Sequence, residues 1–284
     1  MVKIDAKTRI IGLLGHPLGH SFSPAMQNAA FEFIGLNKLY IPIEVTPNNL
    51  GDVVKGISKM NFDGFNVTKP YKVNIIKYLD EVDDLAKIIG AVNVVTIKNG
   101  ILKGYNTDGN GFIRSFEEEI GISVDGKNIF IIGSGGASRA ISMTLAIKGA
   151  KTICICNRTY EKAVDLSEDI NKNIKRCSIP ITMNCSDMEN ALDDIDIIIN
   201  TTSVGMFPDT EKIPIDEKLL HKRFIVSDIV YNPRKTKLLK AAEKKGCKTV
   251  SGLAMLVYQG AESFKLWTDM EPPVEKMFNA INDL

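Results

Sequence analysis

Residues 128–132, Asn-Ile-Phe-Ile-Ile, run directly into Gly133-Ser-Gly-Gly-Ala-Ser-Arg-Ala. A short apolar run of this kind suits a strand buried on both faces, and such strands belong to parallel sheets covered by helices. Glycines at 133, 135 and 136 then permit a tight turn and close backbone approach. A helix opening at that point leaves its first amides free, which makes a ready anion site. Strand, glycine turn and helix are the opening of a dinucleotide-binding unit, with Gly133, Ser134, Gly135, Gly136 and Ala137 as the candidate pyrophosphate loop. Ser138 stands where the full fingerprint has its third glycine. A purely structural turn would read the same way from the glycines alone, so a second mark is needed.

That mark lies at the end of the next strand, expected over 151–156. A site for NAD carries Asp or Glu about 20 residues beyond the glycines, for the ribose hydroxyls. Here the strand runs out into Asn157-Arg158-Thr159, without a carboxylate. A guanidinium forks onto phosphate oxygens, so Arg158 points to the 2′-phosphate of NADP. The alternative is a solvated strand-end arginine. Further strands are expected at 196–200 and 224–231, then a basic helix after Pro233. A long helix follows from Gly252, with an apolar stripe at Leu253, Leu256, Val257, Gly260 and Phe264.

The first half alternates in the same way. A strand is expected at 8–14, then the loop Gly15-His-Pro-Leu-Gly-His-Ser-Phe-Ser-Pro. Ser23-Pro24 reads as a helix start, a hydroxyl N-cap followed by proline at the first helical position. A strand at 39–45 and a helix at 48–60 lead to Phe62-Asp-Gly-Phe and then Asn66-Val-Thr-Lys-Pro-Tyr-Lys. Pro70 is expected to open a helix reaching residue 79, which places Lys72 in its first turn, where the helix dipole favours anions over cations. A further helix is expected at 82–89. Strands at 92–98 and 101–105 flank Asn99-Gly100, a strong hairpin signal. Strand alternating with helix, plus this hairpin, implies an α/β chain whose first sheet is mixed.

The chain has 284 residues, which favours two domains. With 35 basic against 34 acidic residues and a net charge of +1, no global field recruits nucleic acid or an anionic membrane. No apolar run reaches the ~18 to 20 residues of a membrane span. The opening Met1-Val-Lys-Ile-Asp has no apolar leader, and five cysteines without paired spacing suit a reducing compartment, so a cytoplasmic location is expected. Cys154 and Cys156, either side of Ile155, read as small buried apolar groups. Histidines occur only at 16, 20 and 221, and no metal constellation is visible.

Taken together these motifs resemble the shikimate dehydrogenase family along nearly the whole chain. Gly15-His-Pro-Leu-Gly-His-Ser-Phe-Ser-Pro is similar to its first substrate loop, with Ser21 and Ser23 on the carboxylate-binding serines. Asn66-Val-Thr-Lys-Pro-Tyr-Lys resembles its catalytic motif, placing Lys72 on the catalytic lysine and Thr68 on a substrate contact. Gly90-Ala-Val-Asn93 and Gly104-Tyr-Asn-Thr-Asp108 put Asn93 and Asp108 on hydroxyl-binding positions, Asp108 being the lysine's partner. Asn200-Thr-Thr-Ser-Val-Gly-Met, Asp228-Ile-Val-Tyr-Asn-Pro and Met255-Leu-Val-Tyr-Gln-Gly-Ala complete the series. By that resemblance Tyr231 and Gln259 face the substrate, while Thr202, Gly252 and Met255 join the cofactor contacts with Asn157, Arg158 and Thr159. The departures are Ser251 before Gly252 where the family commonly has Asp, Ala254 where it often has Gly, and the extra charge of Lys69.

The resemblance implies a substrate-binding domain over 1–105, completed by a C-terminal helix at 253–284, and a Rossmann-like NADP domain over 106–252. It implies reversible reduction of 3-dehydroshikimate to shikimate, a step in aromatic amino acid biosynthesis, with a small molecule as the partner and a homodimer left open. A polyol acid needs hydroxyl donors for its carboxylate and amide or carboxylate groups for its ring hydroxyls, and the residues named are of those types. Each also has a plainer reading. Ser23 can cap its helix, Ser21 can be plain loop, Asn93 can end a turn and Asp108 can cap the helix after it. Tyr231 can be core, and Gln259 a surface residue one turn after Met255. His16 and His20 are expected to shape their loop. Two rivals remain: an NAD-using quinate/shikimate dehydrogenase, which would favour a carboxylate where Arg158 stands, and a non-catalytic nucleotide sensor, which would have no reason to keep both Lys72 and Asp108.

Overall fold

The computed structural model describes residues 4–19, 21–282 and 284. The chain divides into two compact units, Met1–Gly111 with Val257–Leu284, and Phe112–Leu256. In the first unit the described residues form a sheet of six strands: β1 (Arg9–Gly15), β2 (Lys38–Glu44), β3 (Phe62–Val67), β4 (Glu81–Val82), β5 (Val94–Lys98) and β6 (Ile101–Tyr105). Its order is β2-β1-β3-β5-β6-β4. β1 runs parallel to both β2 and β3, whereas β5 runs antiparallel to β3 and β6, so the sheet is mixed as the hairpin signal implied. Asn99 and Gly100 hold φ of 53° and 79°, the two left-handed positions that a tight hairpin turn requires.

The α-helices of this unit are α1 (Ser23–Ile34), α2 (Leu50–Ile57) and α3 (Asp84–Ile89), and α4 (Asp108–Ile120) begins in it and continues from Phe112 in the second unit. Three expectations are corrected here. The segment after Pro70 is no α-helix: it turns through Lys72 into a 3-10 helix at Asn74–Tyr78, so Lys72 precedes the helix and does not sit in its first turn. Val82 belongs to β4, not to the helix that follows, because Asp83 caps α3 by accepting from the Leu85 amide. Phe22, not Ser23, is the N-cap of α1, and no side chain caps that helix.

The second unit is a wholly parallel sheet of β7 (Asn128–Ile132), β8 (Thr152–Cys156), β9 (Ser178–Ile181), β10 (Ile197–Asn200), β11 (Ile225–Asp228) and β12 (Lys248–Val250). Its order among the described residues is β12-β11-β10-β7-β8-β9. It carries α5 (Gly136–Ile147), α6 (Tyr160–Asn173), α7 (Cys185–Leu192) and α8 (Lys237–Lys244). Alternate residues of the central strands, Phe130, Ile132, Cys154, Cys156, Ile198 and Val226, build one core with Leu238, Leu239 and Ala242 of α8. The two cysteines are therefore buried packing, and burial pushes their thiols up to about 11 and about 12. β11 is shorter than the expected 224–231, because the Asp228 carboxylate draws in the Val230 amide at 3.0 Å and turns the chain.

The C-terminal stretch is two helices rather than one, α9 (Gly252–Thr268) and α10 (Val274–Asn279); the first ends where Asp269 takes φ of 55°, and Pro272-Pro273 lead into the second. From Val257 onward it belongs to the first unit. Phe264 stacks on Phe31 of α1 with ring centroids 5.4 Å apart, and Gln27 Nε2 donates to the Gly260 carbonyl at 2.8 Å. Trp267 Nε1 donates to the Val95 carbonyl at 3.0 Å. A Cβ at Gly64 would lie 2.6 Å from that indole nitrogen, so glycine is what admits the tryptophan.

Candidate active site

Lys72 is placed by backbone pairing beyond its own turn: its carbonyl accepts from the Val92 amide at 2.8 Å, beside Asn93. Its ammonium donates to Asp108 Oδ2 at 2.6 Å. Asp108 opens α4 with its side chain 5% exposed, and its amide donates to Asn106 Oδ1 at 3.1 Å. The other carboxylate oxygen accepts from Asn93 Nδ2 at 2.9 Å. Asn93 Nδ2 also lies 2.9 Å from Thr107 Oγ1 and 3.3 Å from Gln259 Oε1, while Asn93 Oδ1 accepts from the Thr107 amide at 2.8 Å. An ammonium has three donors, and among the described residues Lys72 directs only one at the protein. The result is one buried carboxylate, fixed by Asn93, holding a lysine that has protons to spare.

The structure joins Lys72, Asn93, Asp108 and Gln259 directly. Gln259 reaches the cluster because Gly111 of α4 has no side chain; a Cβ there would sit 2.6 Å from the Gln259 amide nitrogen. Ser21 and Ser23 meet each other, the Ser23 amide donating to Ser21 Oγ at 3.3 Å. With no capping role, the buried Ser23 hydroxyl has no partner among the described residues. Thr68 docks against the same loop, its amide donating to the Leu14 carbonyl at 2.8 Å. Gly15 makes the fit possible, since a Cβ would be 2.3 Å from Thr68 Cγ2. His16 lies 3.0 Å from Glu44 and is exposed; His20 lies outside the described residues. Tyr231 is half-buried just past β11, in the second unit.

Sequence reading gave no role to the residues behind the pair. Asn66 Nδ2 donates to the Asn93 carbonyl and to Ser263 Oγ, at 3.0 and 3.2 Å, and the Tyr40 hydroxyl donates to Asn66 Oδ1 at 2.7 Å. Thr107 Oγ1 donates to the Gln259 carbonyl at 3.0 Å. The polar run 106–108 immediately after a strand was the available signal, because a polar group buried at a strand end needs a partner.

In the second unit Gly133 holds φ of 114°, and a Cβ there would meet Thr201 Oγ1 at 2.6 Å. Gly135 is the N-cap of α5, with no side-chain cap bond and open space where its Cβ would be. Ser134, Gly136 and Ala137 line this turn half-buried, so the first amides of α5 face an uncrowded loop. Ser138, in place of a third glycine, closes the turn through its hydroxyl onto the Gly133 carbonyl at 2.6 Å. Asn157 Nδ2 donates to the Thr159 carbonyl at 2.8 Å. Arg158 and Thr159 are exposed, and Arg158 has no partner among the described residues. Lys162, four residues on, is a second exposed cation with no side-chain partner among the described residues, and nothing in the sequence marks it for a role. Thr202 is held by Asn200, its hydroxyl donating to Asn200 Oδ1 at 2.7 Å. Gly252 is buried against β11's exit, where a Cβ would be 2.2 Å from the Ile229 carbonyl oxygen, and Met255 is buried one turn later. No group of three or more His, Cys, Asp or Glu residues that could hold a metal occurs among the described residues.

Three family models match in series: "Shikimate dehydrogenase substrate binding domain" over residues 13–95, "Shikimate / quinate 5-dehydrogenase" over 116–236 and "Shikimate 5'-dehydrogenase C-terminal domain" over 252–281. A shikimate dehydrogenase (NADP(+)) of Methanococcus maripaludis strain C7 is 51% identical over 280 residues, covering 98% of either chain. A shikimate dehydrogenase solved in complex with NADP+ superposes with a TM-score of 0.90 at 46% identity, covering 99% of this chain and 97% of its own. The shikimate 5-dehydrogenase of Listeria monocytogenes, solved with shikimate and NAD, gives a TM-score of 0.89 at 39% identity, with 98% and 97% covered.

Proposed function

Because the chain belongs to the shikimate dehydrogenase family, we propose that it catalyses the reversible, NADPH-dependent reduction of 3-dehydroshikimate to shikimate, a step of aromatic amino acid biosynthesis. It is an oxidoreductase acting on a CH–OH group, and its substrate is a small molecule. The observation that carries the chemistry is the 2.6 Å contact of Lys72 Nζ with a carboxylate whose other oxygen is already held by Asn93.

When bound, NADPH supplies the hydride. Lys72 holds a proton at Nζ for the alkoxide oxygen that hydride transfer creates, and takes it back in the reverse direction. Asp108 orients the ammonium and cannot swing away, because Asn93 fixes its second oxygen. Ser21 and Ser23 offer hydroxyls to the substrate carboxylate, while Thr68, Asn93, Asp108, Gln259 and Tyr231 meet ring hydroxyls and hold the ring. The first unit is the substrate-binding one and the second the nucleotide-binding one. The cofactor fits the residues present: Gly135 leaves open space before uncapped amides, which suits a pyrophosphate, and Arg158 is exposed with no partner to give up, which suits a 2′-phosphate. Asn157, Thr159, Lys162, Thr202, Gly252 and Met255 complete that side. We place the protein in the cytoplasm, where Cys154, Cys156, Cys177, Cys185 and Cys247 stay free thiols. No described helix is long and apolar enough to cross a membrane. A homodimer is the assembly for light scattering to test.

The deciding experiment is a spectrophotometric assay of shikimate and quinate, each with NADP and NAD. Shikimate with NADP should give the highest kcat/KM. Quinate with NAD coming out best would overturn the assignment, and no turnover with any pair would favour a nucleotide sensor.

A further inference from the structure

Asp228 is a carboxylate with no solvent exposure that the proposed chemistry leaves unused. It ends β11, and both of its oxygens are engaged by neutral donors. Oδ1 accepts from Asn200 Nδ2 at 2.9 Å and from the Val230 amide at 3.0 Å. Oδ2 accepts from the Thr236 hydroxyl at 2.7 Å. Buried carboxylates are normally paired with a cation, and among the described residues this one is not. Burial pushes it up to about 6, outweighing the three hydrogen bonds that pull the other way. An arrangement that disfavours folding at neutral pH calls for another reason to exist, and the three bonds lead outward to it.

The first bond fixes a direction. A carboxylate can only accept, so it compels Asn200 to turn its NH₂ toward β11 and its carbonyl oxygen the other way. That oxygen accepts from both the amide and the hydroxyl of Thr202, at 3.0 and 2.7 Å. The second bond holds the amide of Val230, the residue before Tyr231. The same segment seats the start of α9, since the Ile229 carbonyl oxygen lies 2.2 Å from where a Cβ at Gly252 would be. The third bond holds Thr236, whose hydroxyl caps α8 by accepting from the Leu239 amide at 3.3 Å.

We propose that Asp228 is a positioning residue for the reaction, setting Thr202 through the Asn200 side chain and Tyr231 through the Val230 amide. One buried anchor thereby aligns a cofactor contact at the end of β10 with a substrate contact at the end of β11. The inference rests on the roles given above to Thr202 and Tyr231. Its reach is to binding more than to proton transfer, because the Lys72–Asp108 pair is assembled by other residues.

The test is steady-state kinetics on Asp228→Ala, Asp228→Asn and Thr236→Val, with thermal melts alongside. KM does not depend on how much of a preparation is folded, so it separates positioning from bulk stability. Asp228→Ala should raise KM for both NADP and shikimate about tenfold, with a smaller fall in kcat. Asp228→Asn should restore both, since its Oδ1 still accepts from Asn200 and Val230 and its NH₂ meets the Thr236 hydroxyl. Thr236→Val should lower the melting temperature and leave both KM values in place. Should Asp228→Ala fail to accumulate, Asn200→Ala cuts the same relay and should raise KM for NADP alone. Unchanged KM values in Asp228→Ala, or in Asn200→Ala where that serves, would overturn the proposal and leave Asp228 a stability residue. Thr202→Val and Tyr231→Phe, run in parallel, separate the two levels. Unchanged KM values in that pair would overturn the roles of those residues and this inference with them. Shifted values there beside an inert Asp228→Ala would overturn this inference alone.

Discussion

Replacing Arg158 with alanine isolates the basis of cofactor choice. Arg158 is exposed and makes no hydrogen bond or ion pair among the described residues, so its removal orphans no protein group. The melting temperature should therefore hold within about 1 °C, as for an ordinary surface substitution. Against a 2′-phosphate the same side chain offers charge-assisted hydrogen bonds worth ~1.5 to 3 kcal/mol. Solvent exposure argues for the lower half of that range, because salt screens such contacts within ~8 Å at physiological strength. At ~1.4 kcal/mol per decade, KM for NADP should rise about 10 to 40-fold. NAD has no phosphate there, and its KM should move less than about twofold. Lys162, exposed and without a side-chain partner among the described residues, should hold part of the preference if it also meets the phosphate, so NADP should weaken further in the double variant. Initial-rate assays with either cofactor at saturating shikimate, at low and physiological salt, measure all of this. High salt should reproduce part of the loss in the wild type. Equal losses for NADP and NAD in Arg158→Ala would refute the reasoning and return Arg158 to a plain surface role.

Two further outcomes test the nucleotide unit. Gly133→Ala forces a Cβ to 2.6 Å from Thr201 Oγ1 at φ of 114°, so it should weaken both cofactors alike and lower the melting temperature, and unaltered NADP and NAD binding would contradict the glycine-loop reading. Asp228 rises from 3.8 unfolded to about 6 folded, so its contribution to stability is full below the unfolded value and is lost as pH rises through the folded one. At ~1.36 kcal/mol per unit, the wild type should lose on the order of 1 to 2 kcal/mol more than Asp228→Asn between pH 5 and 7.5 in denaturant titrations. Parallel pH profiles for the two proteins would contradict it.

What the sequence made legible follows from how local each signal is. The glycine loop announced itself because an apolar strand, the turn glycines and the helix start are contiguous, and Ser138 only changes which group closes the turn. The hairpin at Asn99-Gly100 was readable for the same reason. β9 and β12 went unread: they are short edge strands whose membership comes from pairing with β8 and β11, not from their own apolar pattern. The expected helix around Lys72 failed because the backbone there is spent on Val92, beyond the reach of a local pattern. Asn66 and Ser263 are 197 positions apart in sequence yet in contact, so the support behind the reactive pair is a property of the fold alone. The residues proposed for the reaction, Lys72, Asn93, Asp108 and Gln259, were read from motifs, and the structure adds which atoms of them meet.

The central claim is that Lys72 carries the proton, and Lys72→Ala tests it most directly. General acid catalysis is typically worth ~10² to 10⁴-fold, so kcat with shikimate and NADP should fall at least about a hundredfold. Asp108 keeps its bond to Asn93 in that variant, and the serine and amide contacts remain, so KM for shikimate should change less than about fivefold. Asp108→Ala, measured in the same assay, should fall by less than Lys72→Ala if its part is to orient the lysine. Near-full turnover in Lys72→Ala, with Asp108→Ala inactive, would contradict the account and give the proton to the carboxylate.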